Sequence, residues 1–304
     1  MILDVLVNII LPIFLLIGAG VAVDRAFKLD IQTLSKLNFY VTVPALVLIK
    51  TLEAKLDPAL LGAVALFTVV HFALLRLASR VLFGARSLRR WEVILSMGAV
   101  FYNAGNFGLP LAQLAFGSLG ASVMAIVMTA QNFITFTWGL WWMDSGKRDL
   151  RQSIAGLVKV PVIWAVLAAL ALLWLGIELP HPIRVPLSYL ADGTIPLALL
   201  TLGIQVSRSP LVGRLAPLTA VTGMRLLISP LIAFGLVVVW AAIAPGTLDS
   251  IRAVLIVAAG LPIAVNVYVL AVEYNRDAAL ASQMMVWTTL LSAVTLTGWL
   301  LAVG

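Results

Sequence analysis

Two short stretches hold the side chains and spacings best suited to chemistry. In FYNAGNFGLPL, Asn103 and Asn106 stand three residues apart, and Gly105, Gly108 and Pro110 interrupt an otherwise apolar run. In GLPIAVNVY, Gly260 and Pro262 are followed by Asn266, four residues beyond the proline. Proline removes an amide donor and crowds the preceding turn, and glycine adds conformational cost, so neither stretch suits an unbroken helix. Beyond such a break the next half-helix presents free N–H groups and a partial positive charge. Two breaks brought to one point favour an anion, and asparagine amides there add donors and acceptors without burying a charge. Gln131 and Asn132, in MTAQNFITFTWG, either line the same path or make helix-packing hydrogen bonds.

Two ionisable residues lie within apolar runs, His71 and Arg225. His71 is a candidate for proton coupling or a neutral, hydrogen-bonded core histidine. Arg225 either attracts an anion or pairs with a helix C-terminus. Asp192, beside Gly193 and Pro196, reads as a cap or loop residue. The chain has two histidines, no cysteine, and neither an HExxH nor a GxSxG motif, so an enzyme is not expected, and neither is a metal or cofactor.

The elements that must position these residues are membrane helices. Hydrophobic residues make up 62% of the 304 and charged residues 11%, against roughly 25% charged in soluble domains. Ten apolar runs of bilayer-spanning length are expected, near 5–23, 37–52, 58–79, 93–115, 120–143, 159–178, 187–206, 215–243, 251–272 and 279–303. With the N-terminus outside, the inner connections carry fifteen basic residues, Lys147, Arg148, Arg151 and Lys159 among them. The outer ones carry four, Lys50, Lys55, Arg184 and Arg252. The positive-inside rule then places both termini outside, in the periplasm of a Gram-negative cell, and reads the net charge of +7 as topology rather than nucleic-acid binding. Trp91, Trp141 and Trp142 fall where segments 4 and 5 should meet the cytoplasmic interface.

The prolines also suggest a repeat. Pro44, Pro58 and Pro110 recur as Pro196, Pro210 and Pro262, each 152 residues on, and Gly108-Leu109-Pro110 recurs as Gly260-Leu261-Pro262. Two five-helix repeats are expected, 1–145 and 155–304. Five being odd, the second is inverted, as in many secondary transporters.

Read together, ILPIFLLIGAGVAVDRAFKL, LNFYVTVPALVL, NAGNFGLPLA, IPLALLTLG, RLLISPLIA and LPIAVNVYVLAVEYNRDAALASQMMVWTTLLS resemble the auxin efflux carrier family, nearly from end to end. Bacterial members of that family are ten-helix permeases, related to the plant PIN-type carriers. The resemblance implies an all-α, bile-acid-symporter-like fold in which segments 1, 2, 6 and 7 form a scaffold. Segments 3–5 and 8–10 would form a moving core, with broken segments 4 and 9 crossing. It makes Pro110 and Pro262 the crossover prolines and sets Asn103 and Asn106 beside the substrate. It further implies mono- or dicarboxylate substrates, a homodimer through the scaffold, and elevator-like motion. The expected function is thus secondary transport, as an exporter, of small organic anions across the inner (plasma) membrane. A channel or a non-transporting receptor or assembly subunit on the same fold is the alternative. The core segments lack an acidic cluster of sodium-ligand character, so sodium independence is expected, with drive from the membrane potential or protons.

Overall fold

The computed structural model describes residues 2–54, 58–143, 160–210 and 213–303. Lys55, Lys147, Arg148, Arg151 and Lys159, counted above for topology, lie outside the described residues. Among the described residues the elements of regular structure are helices, joined by one isolated antiparallel bridge. In chain order they are α1 (Ile2–Phe27), α2 (Ile31–Ala54), α3 (Pro58–Phe83), α4 (Glu92–Val100), α5 (104–116), α6 (118–143), α7 (Pro161–Leu175) and α8 (His181–Ser207). They continue as α9 (Leu215–Ile243), α10 (Arg252–Ala259), α11 (Val265–Glu273) and α12 (Ala278–Val303). Seven stretches are long and apolar enough to cross a membrane, counting Ala104–Met143 as one. That stretch turns at Gly117, whose φ of 63° and ψ of −154° suit only glycine, so α5 and α6 are separate helices. The chain is a polytopic membrane protein. Large apolar side chains such as Trp174, Ile243 and Val294 stand outward, as lipid-facing residues do.

Prolines inside these helices are absorbed by wide turns. The π-helical turns Leu6–Ile10, Asn38–Thr42, Ala104–Gly108 and Met224–Ile228 each end two residues before a proline: Pro12, Pro44, Pro110 and Pro230. A proline lacks its own amide and its ring crowds the carbonyl four residues back. An i→i+5 bond just before it, such as Leu109 N–H to Ala104 O, moves the backbone out of the way without ending the helix.

Helices α1 and α8 pack at backbone contact. A Cβ on Gly20 would collide with the Leu200 carbonyl, and one on Gly203 with that of Ile17, so only glycine allows this approach. At one end of the pair, Arg208 Nε donates to Asp24 Oδ1 at 3.1 Å. Between α2 and α8, Thr194 Oγ1 donates to Thr42 O at 2.9 Å, joining two positions separated by the repeat offset of 152.

Candidate functional site

The two broken stretches meet. The helical path leaves α4 at Phe101 and resumes at Ala104, and it leaves α10 at Gly260 and resumes at Val265. Across the gap Asn103 N–H donates to Pro262 O at 2.8 Å and Ala264 N–H donates to Phe101 O at 3.0 Å, with Tyr102 opposite Ile263. A local two-fold exchanges these two bonds. Flanking helices serve further polar groups of the break: Thr288 Oγ1 on α12 accepts from Ile263 N–H at 3.1 Å. On α6 the Gln131 amide spans Tyr102, accepting from its N–H at 2.9 Å and donating to its carbonyl at 3.0 Å. Non-helical backbone at membrane depth thus finds partners inside the protein, the condition under which it is tolerated.

Arg225, on the wide turn of α9, closes the other side. It is fully buried, and its guanidinium donates to Ala99 O at 2.7 Å, to Ala259 O and to the Ser229 hydroxyl. Those carbonyls are the last turns of α4 and α10, the negative ends of both half-helices. Ser229 Oγ also donates to Ala259 O at 2.7 Å, and His71 Nε2 lies 3.1 Å from Ser229 O. The guanidinium stands 4.7 Å from the centroid of the Tyr102 ring, which separates it from a cavity.

That cavity, of about 310 Å³, lies where α5 and α11 begin. Ala104, Gly105, Val265 and Asn266 line it, so the amide-rich N-termini of both second half-helices border the space. Asn103 caps α5: its Oδ1 accepts from Asn106 N–H at 3.1 Å, which leaves its Nδ2, buried and unpartnered among the described residues, as a free donor. Asn106 Oδ1 accepts from Asn38 Nδ2 at 2.9 Å, and Asn38 Oδ1 in turn accepts from Thr42 Oγ1 at 2.9 Å. Asn103 and Asn106 therefore have their oxygens engaged within the protein, and their NH2 groups are what remain. Among the described residues the lining contains no carboxylate, and Lys36 stands at its rim.

Asn103, Asn106, Gln131, Asn132 and Asn266 all line this one cavity. Gln131, however, has both amide atoms committed to Tyr102. Gly105 is in the first turn of α5, and Gly108 permits α5 to approach the other break, since a Cβ there would come 2.7 Å from Leu261 Cδ1. Pro262 and Gly260 lie in the break itself, whereas Pro110 lies inside a continuous helix, seven residues past Asn103. The proline offset of 152 sets Pro110 against Pro262, but the backbone sets Tyr102 against Ile263, 161 residues apart, because the wide turn removes any need for a break at Pro110. His71 and Arg225 are buried behind the crossing rather than in the cavity lining. Sequence reasoning missed Asn38, Tyr102 and Gln205 as lining residues; an asparagine within the apolar run LNFYVTVP was the available signal for the first.

The family model described as "Membrane transport protein" matches residues 147–300. A protein of Methanothermobacter thermautotrophicus named "Uncharacterized transporter" is 30% identical over 277 residues, covering 89% of this chain and 88% of that one. A protein of Rhizobium meliloti named "Putative malonate transporter" is 28% identical over 308 residues, covering 96% of this chain and 94% of that one.

Proposed function

Because the chain belongs to the membrane transport protein family, that of the auxin efflux carriers, we propose that it is a secondary active transporter of small organic anions, with the anion held where the two broken helices meet. The observation that carries this reading is the polarity of the cavity. Asn103 and Asn106 offer N–H donors because their oxygens are already bonded, two helix N-termini border the space, and no carboxylate among the described residues lines it. A volume of 310 Å³ sits at the small end of ligand pockets, about 300–1,000 Å³, and fits a short mono- or dicarboxylate. The relative named for malonate makes short dicarboxylates the first compounds to try.

In this reading the chain forms ten membrane segments in two inverted five-segment repeats, 1–145 and 155–304. The exchange of hydrogen bonds about Tyr102 and Ile263 and the Thr194–Thr42 contact support that symmetry. Helices α1, α2, α7 and α8 are the scaffold and the mediator of a homodimer, and α3–α6 with α9–α12 are the core that carries the anion. The basic ends of the helices face the cytoplasm of the plasma membrane and both termini face outward. The cavity reaches Lys36, in the second turn of α2, and Gln205, in the last turn of α8. It therefore opens to the cytoplasmic side, where an exporter loads. Arg225 supplies fixed positive charge to the carbonyl ends at the crossing, which supports transport without sodium.

The test is Asn103→Asp. Aspartate keeps the helix cap, accepting from Asn106 N–H as asparagine does, but replaces the free donor by negative charge. The purified variant should still melt cooperatively, at a lowered midpoint because a carboxylate replaces a buried amide, while stabilisation by malonate and related carboxylates is lost; Asn106→Ala, run beside it, should weaken binding by about 2 kcal/mol, near thirtyfold. Undiminished carboxylate binding by Asn103→Asp would refute the site.

A further inference from the structure

A second cavity, of about 630 Å³, lies away from the crossing, between the ends of α3 and α6 and the start of α4. It is lined by Arg76, Arg80, Gly84, Arg89, Glu92, Trp141 and Trp142. Arg76 and Arg80 are one helical turn apart on α3 and so share a face. Glu92, the one acid in the lining among the described residues, is already engaged: its Oε1 accepts from Arg76 Nη1 at 3.1 Å and from the Ser96 hydroxyl at 3.3 Å. Arg76 also lies 3.8 Å over the Trp142 ring, so it is fixed on both sides. Arg80 and Arg89 are exposed, and among the described residues neither forms an ion pair. Among the described residues the cavity therefore presents two guanidinium groups without an acidic partner, and their forked donors match phosphate oxygens.

The surroundings indicate what carries the phosphate. The same turns of α3 expose Leu77 and Val81, at 63% and 75%, while α6 exposes Trp138 and Trp141. Exposed indoles beside guanidinium groups mark the depth where lipid headgroups meet acyl chains. A free phosphate would need the arginines alone, whereas a phospholipid would also cover this apolar strip.

We propose that this cavity binds the phosphate of an anionic phospholipid through Arg80 and Arg89, with the acyl chains lying along Leu77 and Val81. The site is independent of the organic-anion cavity and would stand if that reading failed. The experiment uses the full chain in detergent, titrated with phosphatidylglycerol, with phosphatidylcholine or with inorganic phosphate, and reads the melting midpoint and, by native mass spectrometry, the lipid retained. Phosphatidylglycerol should raise the midpoint and stay bound, phosphatidylcholine should do neither, and the Arg80→Gln/Arg89→Gln variant should bind phosphatidylglycerol roughly tenfold or more weakly. Both arginines are exposed, so the variant should fold, and its lipid-free midpoint is the check. Equal retention of the two lipids, or undiminished phosphatidylglycerol binding by the double variant, overturns the proposal. Full stabilisation by millimolar inorganic phosphate alone overturns the lipid assignment.

Discussion

Arg225 is a buried cation whose partners in the structure are helix ends and a hydroxyl, Ala99 O, Ala259 O and Ser229 Oγ. Removing it leaves the Ala99 carbonyl without its donor and the Ala259 carbonyl with the Ser229 hydroxyl alone in a low-dielectric interior, at about 1–3 kcal/mol for a group left unpaired. Arg225→Met should therefore destabilise the protein by about 3 kcal/mol, seen as a lowered melting midpoint in detergent. Arg225→Lys should fall between, since a compact ammonium cannot reach across both helix ends as the guanidinium fork does. A methionine variant as stable as the native protein would show that the carbonyl ends find other donors. The same reasoning separates two neighbours on α6. Gln131→Leu orphans the Tyr102 N–H, while the Tyr102 carbonyl keeps the Ala104 N–H, and should cost about 1–2 kcal/mol of stability. Asn132→Ala should change the melting midpoint little, so any effect it has belongs to ligand binding.

Among the elements, the prolines divide into two kinds that sequence alone does not distinguish. Pro262 lies in a true break, where its carbonyl accepts from Asn103. Pro110 follows a wide turn inside a helix that continues to residue 116. Pro110→Ala should accordingly keep stability within about 1 kcal/mol and leave carboxylate binding intact, measured on the same melting assay. A loss of binding there would mean that the wide turn itself shapes the cavity. Helical content, the two broken stretches and the clustering of Asn103, Asn106, Asn132 and Asn266 were legible in the sequence because Gly, Pro and Asn are conspicuous in apolar runs. The register of the crossing was not. It depends on which backbone groups find partners across 161 residues, and neither Gln131 nor Thr288 shows in one dimension that it will pair with a break. Asn38 was visible as an asparagine in an apolar run, but its place at the site was not, since its contact with Asn106 exists only once α2 lies against α5.

For the whole molecule, the proposed elevator makes a claim about which contacts must break. The cavity opens toward Lys36 and Gln205, while the far end of α2 is fastened to α6: Ser122 Oγ donates to Lys50 O at 2.6 Å and Ser118 Oγ to Glu53 Oε2 at 3.3 Å. Helix α2 belongs to the proposed scaffold and α6 to the proposed core, so these bonds seal one end in this state and must part when the anion is released on the other side. The chain has no cysteine of its own, which makes a paired-cysteine test clean. In Lys50→Cys/Ser122→Cys, oxidation or a short bifunctional thiol reagent should join the two helices, since the Ser122 hydroxyl reaches the Lys50 carbonyl at 2.6 Å. Neither residue lines the cavity, so the locked protein should still be stabilised by carboxylate, yet transport into or out of liposomes should stop and return on reduction. Transport at the native rate with the crosslink formed would mean that α2 and α6 move as one body, and the elevator would have to give way to a mechanism in which the two stay joined, such as a channel or a gate local to the crossing.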